Sequence, residues 1–192
     1  MKWLSERISF DEDKQKVTFV IYPEKNGLVR ALMGAWFGMW MAIGGTIIWS
    51  LIALKFSEQE TVFLYVFIAF WFYYAMKVGR SFFWILWGKE LIKINETSFT
   101  YKKSIKNYGK AIPYYLENIK KVRTFQPKDK SLQSVWEASP WVRGGERIEF
   151  DYMGKVIRFG RKLEEKEMKL FFNLLTKKMD EKLRKIKSND DM

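Results

Sequence analysis

The chain has 192 residues, 48% of them hydrophobic and 18% aromatic, and 34 Lys and Arg against 22 Asp and Glu give a formal charge of +12. It contains no cysteine and no histidine, which excludes disulfides, thiol nucleophiles, Cys–His dyads, Ser–His–Asp triads and zinc sites built on either residue. Apolar and aromatic content this high also excludes a disordered chain.

Residues 1–26 form a polar segment of mixed charge, with one short strand expected at residues 16–22. No small-residue cleavage site accompanies the first apolar run, so no signal peptide is expected. That run covers residues 31–54 without a charge; a second covers 61–76 and resumes as 81–87 after Lys77 and Arg80. A bilayer core about 30 Å thick takes roughly 20 apolar residues of helix. The pair therefore reads as a transmembrane hairpin over residues 27–88, with helices at about 28–54 and 61–87.

Lys2, Arg7, Lys14, Lys16, Lys25 and Arg30 precede the first helix, whereas the connection at 55–60 holds one lysine and two glutamates. After residue 88 come 25 basic and 15 acidic residues, against 9 and 7 before it. The positive-inside bias then puts both termini in the cytoplasm, and the short connection makes the helices antiparallel neighbours. Residues 61–76 span about 24 Å of helix, so Lys77 and Arg80, with Arg30 opposite, are expected as anchors at the inner membrane boundary. The alternative is an intramembrane site for an anionic headgroup.

Gly34, Gly38, Ala42 and Gly45 make a smooth face on the first helix, and small residues let helix backbones approach closely in lipid. The expected partner is the bulky second helix, with Phe63, Tyr65, Phe67, Phe70, Trp71, Phe72, Tyr73 and Tyr74; a homodimer is the alternative. Trp36, Trp84 and Trp87 suit an aromatic belt at the interface.

Beyond residue 88 the period changes to two. Ile92 and Ile94 share one face, Lys93 and Asn95 the other, as in a strand that turns at 95–97. Residues 98–103 alternate polar and aromatic, 107–109 signal a turn, and Pro113 marks an edge strand. A further strand is expected at 120–125. Residues 126–145, around Trp136 and Trp141, read as a long loop or irregular hairpin. The clearest hairpin pairs 147–152 with 155–159 about Met153 and Gly154, and Gly160 is expected to end the strands. A helix follows. Glu164, Glu165 and Glu167 lie at its start and Lys177, Lys178, Lys182, Arg184 and Lys185 toward its end, complementing the dipole. Met168, Phe171, Phe172, Leu175, Met179 and Leu183 form one apolar stripe that faces a core. The domain is expected to span 89–186, with a fraying tail at 187–192.

Short antiparallel strands closed by one amphipathic helix are the order of a pleckstrin-homology-like (PH-like) barrel, whose open end the helix plugs. Residues 87–95 (WGKELIKIN) resemble the junction, in bacterial two-helix membrane proteins, between a spanning helix and a PH-like domain. Residues 109–123 (GKAIPYYLENIKKVR) look like the second and third strands of those domains. Residues 148–160 (IEFDYMGKVIRFG) with 163–167 are similar to their closing hairpin and helix start, and 16–25 also fit. The chloroplast photosystem I assembly factor shares the two-helix layout more distantly. The resemblance implies an α+β membrane protein of the bacterial inner membrane: a transmembrane helical hairpin followed by a PH-like barrel or sandwich with a C-terminal helix. Most members of that group have no assigned activity, so no reaction is implied. The strand at 16–22 either returns to the barrel edge or lies free at the membrane surface.

Lys102, Lys103, Lys106 and Lys110 cluster in one hairpin, and Lys120, Lys121 and Arg123 on a nearby strand. Held beside a membrane, such charges attract anionic lipid at about 1 kcal/mol each; as a solvated face they would simply obey the positive-inside bias. The Lys/Arg-x-Arg ending of phosphoinositide-binding PH hairpins is absent, so a stereospecific phosphoinositide pocket is not expected. Neither is nucleic-acid binding, since acids are interspersed and no recognition motif appears. No catalytic constellation, cofactor site or metal site is legible. The expectation is a membrane-tethered binding or scaffold module, not an enzyme, contacting a protein partner or anionic headgroups at the cytoplasmic face. The alternative is a small structural subunit or assembly factor of a larger membrane complex.

Overall fold

The computed structural model describes residues 1–125, 139, 141 and 144–190, the side chains of 187–190 excepted. Its elements in chain order are β1 (Lys2–Trp3), β2 (Ile8–Glu12), β3 (Val17–Ile21), α1 (Gly27–Ala53), α2 (Glu58–Trp87), β4 (Gly88–Ile94) and β5 (Ser98–Ile105), then β6 (Ala111–Tyr115), a 3-10 turn (Leu116–Asn118), β7 (Ile119–Thr124), β8 (Glu146–Tyr152), β9 (Lys155–Arg161) and α3 (Glu165–Asp190). The chain is α+β, with two long apolar helices followed by a β-sheet region. The described residues of 1–24, 87–139 and 144–190 form one compact unit, and 25–86 with Trp141 form another.

In the first unit, β1 to β6 build one antiparallel sheet in sequence order and β7 to β9 a second. The N-terminal segment carries three strands rather than one, and β3 pairs with β4 from Val17↔Ile94 to Ile21↔Glu90. The sheet is therefore continuous across the point where the two long helices interrupt the chain. The reason is visible in β3 itself: Val17, Phe19, Val20 and Ile21 are all buried, which a free surface segment would forfeit at roughly 1.5–3 kcal/mol per side chain.

The core gathers Ile8, Phe19, Ile92, Ile94 and Phe99 from the larger sheet, Ile148, Phe150 and Phe159 from the smaller, and Met168, Phe171, Leu175 and Met179 from α3. Rings lock these layers together: Phe99 meets Phe150 at 5.2 Å and 78°, and Phe19 meets Phe171 at 5.3 Å and 75°, edge-on geometries favoured by the ring quadrupole. The apolar stripe read on α3 is the face that enters this core. α3 continues to Asp190, past the tail expected from residue 187, since no proline or glycine stops it.

One buried carboxylate joins the two sheets. Glu90 in β4 is 1% exposed. It accepts the Tyr101 hydroxyl at 3.0 Å and the backbone N–H groups of Gly160 and Arg161 in β9 at 2.8 and 3.1 Å. Burial first, and then the Glu90 charge, hold the Tyr101 phenol far above its ordinary range. Gly160, expected to end the strands, instead lies inside β9 with φ +73°. Its left-handed backbone favours glycine, and a Cβ there would press on the Leu163 side chain at 3.0 Å. A second buried tie holds the N-terminal turn: Arg7 donates to the carbonyls of Tyr22 and Lys162 at 3.1 and 2.8 Å and pairs with Glu167 at 3.4 Å.

In the other unit, Asn26 caps α1 by accepting the Val29 N–H at 3.1 Å. Ser57 and Glu60 form a capping box: Glu60 accepts the Ser57 N–H and hydroxyl at 2.9 and 2.8 Å, and Ser57 Oγ accepts the Glu60 N–H at 3.4 Å. This box starts α2 earlier than the apolar pattern does, so the connection is residues 54–57 rather than 55–60. The helices are tied by an exchange of indoles. Trp40 Nε1 donates to the Trp71 carbonyl at 3.1 Å and Trp71 Nε1 to the Trp40 carbonyl at 2.7 Å. At the other end, Arg30 Nη2 donates to the Ile85 carbonyl at 3.3 Å, supplying the C-terminal cation that the last turn of α2 lacks.

The glycines that allow this approach differ from most of those expected. Gly44 is buried against the Trp71 indole, Gly79 faces the Phe37 ring and Gly34 the Phe82 ring. Gly38 and Gly45 face open space, and Ala42 is exposed beside them. Trp84, expected in an interfacial belt, is 5% exposed and belongs to the packing. Both helices are long and apolar enough to cross a membrane, and only 11% of each apolar window is buried.

Candidate functional site

The seven basic residues read as one patch separate into two groups on different sheets. Lys120, Lys121 and Arg123 lie on β7, where the register slips between Lys120 and Arg123 and Lys121 takes φ +50°. Arg123 is engaged: it contacts Glu149 at 2.6 Å and Asp151 at 3.3 Å, and Arg158 reaches Glu149 at 2.8 Å. Desolvation opposes ionisation of Glu149, yet the hydrogen bonds from Arg123 and Arg158 hold its carboxyl below the usual carboxylate range. Arg123 is thus part of a charge ladder across β7, β8 and β9, whereas Lys120 and Lys121 are exposed and, among the described residues, no ion pair joins them to a carboxylate.

The other group occupies the β5–β6 hairpin. Lys103 pairs with Glu146 at 2.8 Å. Among the described residues, no ion pair joins Lys102, Lys106 or Lys110 to a carboxylate. Lys102 Nζ donates to the Asn107 carbonyl at 3.1 Å, stiffening the turn. Ile105 and Tyr108 exchange backbone bonds at 3.0 and 3.1 Å, which forces Lys106 to φ +55° and Gly109 to φ +151°. A Cβ at Gly109 would overlap the Lys103 carbonyl, so only glycine closes this turn. Tyr108 is left at the tip, 84% exposed.

The tip is tied to the end of α2. Lys106 N–H donates to the carbonyl of Trp87, the last residue of that helix, at 2.9 Å. Its ammonium lies 4.5 Å from the centroid of the Trp87 ring, a cation–π contact of about 0.5–1 kcal/mol where water reaches it. Trp87 and Tyr108 were not singled out with the lysines by sequence. The available signal was the 107–109 turn flanked by lysines on both sides; the pairing of Gly88 with Ile105 that brings it to Trp87 is not written in either segment.

The expected boundary residues have different surroundings. Arg30 is drawn into the helix pair, where its Nε is buried without a partner among the described residues. Lys77 is exposed and rests on Tyr73, with Nζ 3.1 Å from the hydroxyl, and Arg80 is exposed. The expected loop at 126–145 lies largely outside the described residues. Of its two tryptophans, Trp136 is outside them and Trp141 meets the Trp36 ring edge-on at 5.2 Å. Lys162, at φ +50°, donates to the Ser139 carbonyl at 2.6 Å; burial and then the nearby Arg161 charge push its ammonium down to about 8.

No protein-family model, no curated protein and no solved structure matches this chain.

Proposed function

We propose that this is a membrane-tethered binding module: α1 and α2 cross the bacterial inner membrane, both termini are cytoplasmic, and a PH-like domain contacts anionic headgroups or a protein partner at the inner surface. The apolar exteriors support the tether. Ile52 is 82% exposed and Phe63 71%, and soluble proteins rarely expose apolar surface on such a scale. The strand order closed by α3 supports the PH-like reading. The observation that carries lipid contact is the bond from Lys106 to Trp87. It holds Lys102, Lys106, Tyr108 and Lys110 beside the residue at which the apolar run ends, the depth at which headgroups lie. Three cations there contribute about 3 kcal/mol toward an anionic surface, and an exposed tyrosine suits the interface.

The chain has no cysteine, so single spin labels can be placed cleanly. In nanodiscs containing phosphatidylglycerol, a label at Tyr108→Cys should show headgroup depth by oxygen and nickel-chelate relaxation. One at Met153→Cys, in the β8–β9 turn and so at the opposite end of its sheet from Arg161, should read as aqueous. Labels at Ile43→Cys and Phe70→Cys should read hydrocarbon. Aqueous readings from those two would refute the tether. Hydrocarbon readings there, with positions 108 and 153 indistinguishable, would refute the headgroup contact alone.

The second reading, a subunit or assembly factor of a larger membrane complex, is favoured by the open face of Gly38, Ala42 and Gly45. Gly38→Leu would then shift the native-gel size of the assembly without altering the fold. An unchanged migration, or a monomer in both forms, would count against it.

A further inference from the structure

We infer that the groove between the β2–β3 turn and α3 is a binding site for a small oxyanion of the phosphate class. The groove has a volume of about 450 Å³ and is lined by Glu12, Asp13, Lys14 and Val17 on one side and Lys178, Glu181, Lys182, Arg184 and Lys185 on the other. That volume is within the usual range of small-molecule sites, about 300–1,000 Å³. Eight of its nine lining residues carry charged side chains, whose aliphatic stems and Val17 supply the apolar part of the walls.

The charges inside are unequal. Lys178 is engaged by Glu12 at 2.7 Å and Glu181 at 3.0 Å, and the charges of Lys177 and Lys185 also act on Glu181. Asp13 accepts the backbone N–H of Lys14 at 2.7 Å. Lys178 with its two glutamates leaves one negative charge over, so Lys14, Lys182, Arg184 and Lys185 face that charge and Asp13, and the groove holds five cations against three carboxylates. Lys182 is the decisive residue. It is 7% exposed, and its ammonium reaches only the carbonyls of Lys14 and Gln15, at 3.4 and 3.2 Å. No ion pair joins it to a carboxylate among the described residues. A buried cation without a counter-charge is costly, and an anion in the groove supplies the missing charge. Spacings of four and three along α3 put Lys178, Lys182 and Lys185 on one face, and Arg184 at the rim adds a planar fork suited to phosphate oxygens.

The occupant is soluble. Val17 pairs with Ile94, whereas α2 joins the sheet at Gly88; at about 3.3 Å per residue, β4 separates the two by roughly 20 Å. The groove belongs to the sheet unit alone, and only the solubility of its occupant rests on the proposed membrane insertion.

The test is equilibrium dialysis of the full chain in detergent against inorganic pyrophosphate, with chloride adjusted to constant ionic strength. One saturable site is expected, weakened at least tenfold by Lys182→Met and severalfold by the double variant Arg184→Ala, Lys185→Ala. The double variant changes only exposed side chains, so its result stands even if Lys182→Met misfolds. Absence of a saturable site, or unchanged affinity in the double variant, would overturn the inference. So would affinity that is lost on changing Lys102 and Lys106 to alanine, which would seat the anion at the β5–β6 hairpin instead.

Discussion

Gly44→Ala is expected to destabilise the helix pair by about 1–3 kcal/mol, a net loss that remains after the gain of about 1 kcal/mol from alanine being the better helix former. A methyl group on Gly44 would overlap the Trp71 indole, and Trp71 is itself 9% exposed, so the ring has nowhere nearby to go. Overpacking of this kind costs about 1–3 kcal/mol. Displacing the ring also breaks the bond from Trp71 Nε1 to the Trp40 carbonyl and loosens its reciprocal, at roughly 0.6 kcal/mol per interhelical bond. Gly45→Ala is the matched control. Nothing lies within 4 Å of its Cβ position, so it should stabilise the helix, by up to about 1 kcal/mol. Unfolding in mixed micelles, followed by circular dichroism, compares the two; equal stabilities would refute the packing described for Trp71.

Glu90→Ala should cost the sheet unit about 3–5 kcal/mol, because it strands three buried donors at once and each unpaired group forfeits about 1–3 kcal/mol. Those donors are the Tyr101 hydroxyl and the N–H groups of Gly160 and Arg161. Tyr101 stays protonated through the neutral range, since burial and the Glu90 charge both oppose its ionisation, so the donor side of the link does not titrate there. Glu90→Gln keeps the shape but turns one acceptor into a donor, and should fall between wild type and alanine. Hydrogen exchange gives the local readout: the Gly160 and Arg161 amides should exchange at least a hundredfold faster in the alanine variant. Protection equal to wild type would mean that the carboxylate does not hold the sheets together.

Both residues show where sequence reasoning reaches and where it stops. Period-two alternation assigns Ile92 and Ile94 to the inner face of β4, and the same alternation carried back two residues places Glu90 there too. The signal was present, but a charged residue on a core face becomes sensible only once Tyr101 and β9 are seen to supply its donors. Gly44 was passed over for the opposite reason. Spacing alone favours Gly34, Gly38, Ala42 and Gly45, yet a helix can present a smooth face in several directions. Which of them meets a partner depends on the rotation set by the Trp40–Trp71 exchange. The Ser57–Glu60 box, by contrast, is a local four-residue pattern, and it moves the start of α2 by a margin that apolar counting cannot detect.

Local and periodic features were determined by the sequence alone: two membrane-length apolar helices, an alternating strand region, the apolar stripe on α3 and the exclusion of thiol and imidazole chemistry. These depend on neighbours within a turn or a strand, so composition and period reveal them. Tertiary structure alone decided that residues 1–24 belong to the sheet unit, that the basic residues divide between two sheets with Arg123 paired on one and Lys103 on the other, and that Lys182 lies buried with no carboxylate partner among the described residues. Each of these depends on which distant segment supplies the partner for a hydrogen bond or a charge, and that is settled only when β3 meets β4, β5 meets Trp87 and α3 closes over the β2–β3 turn.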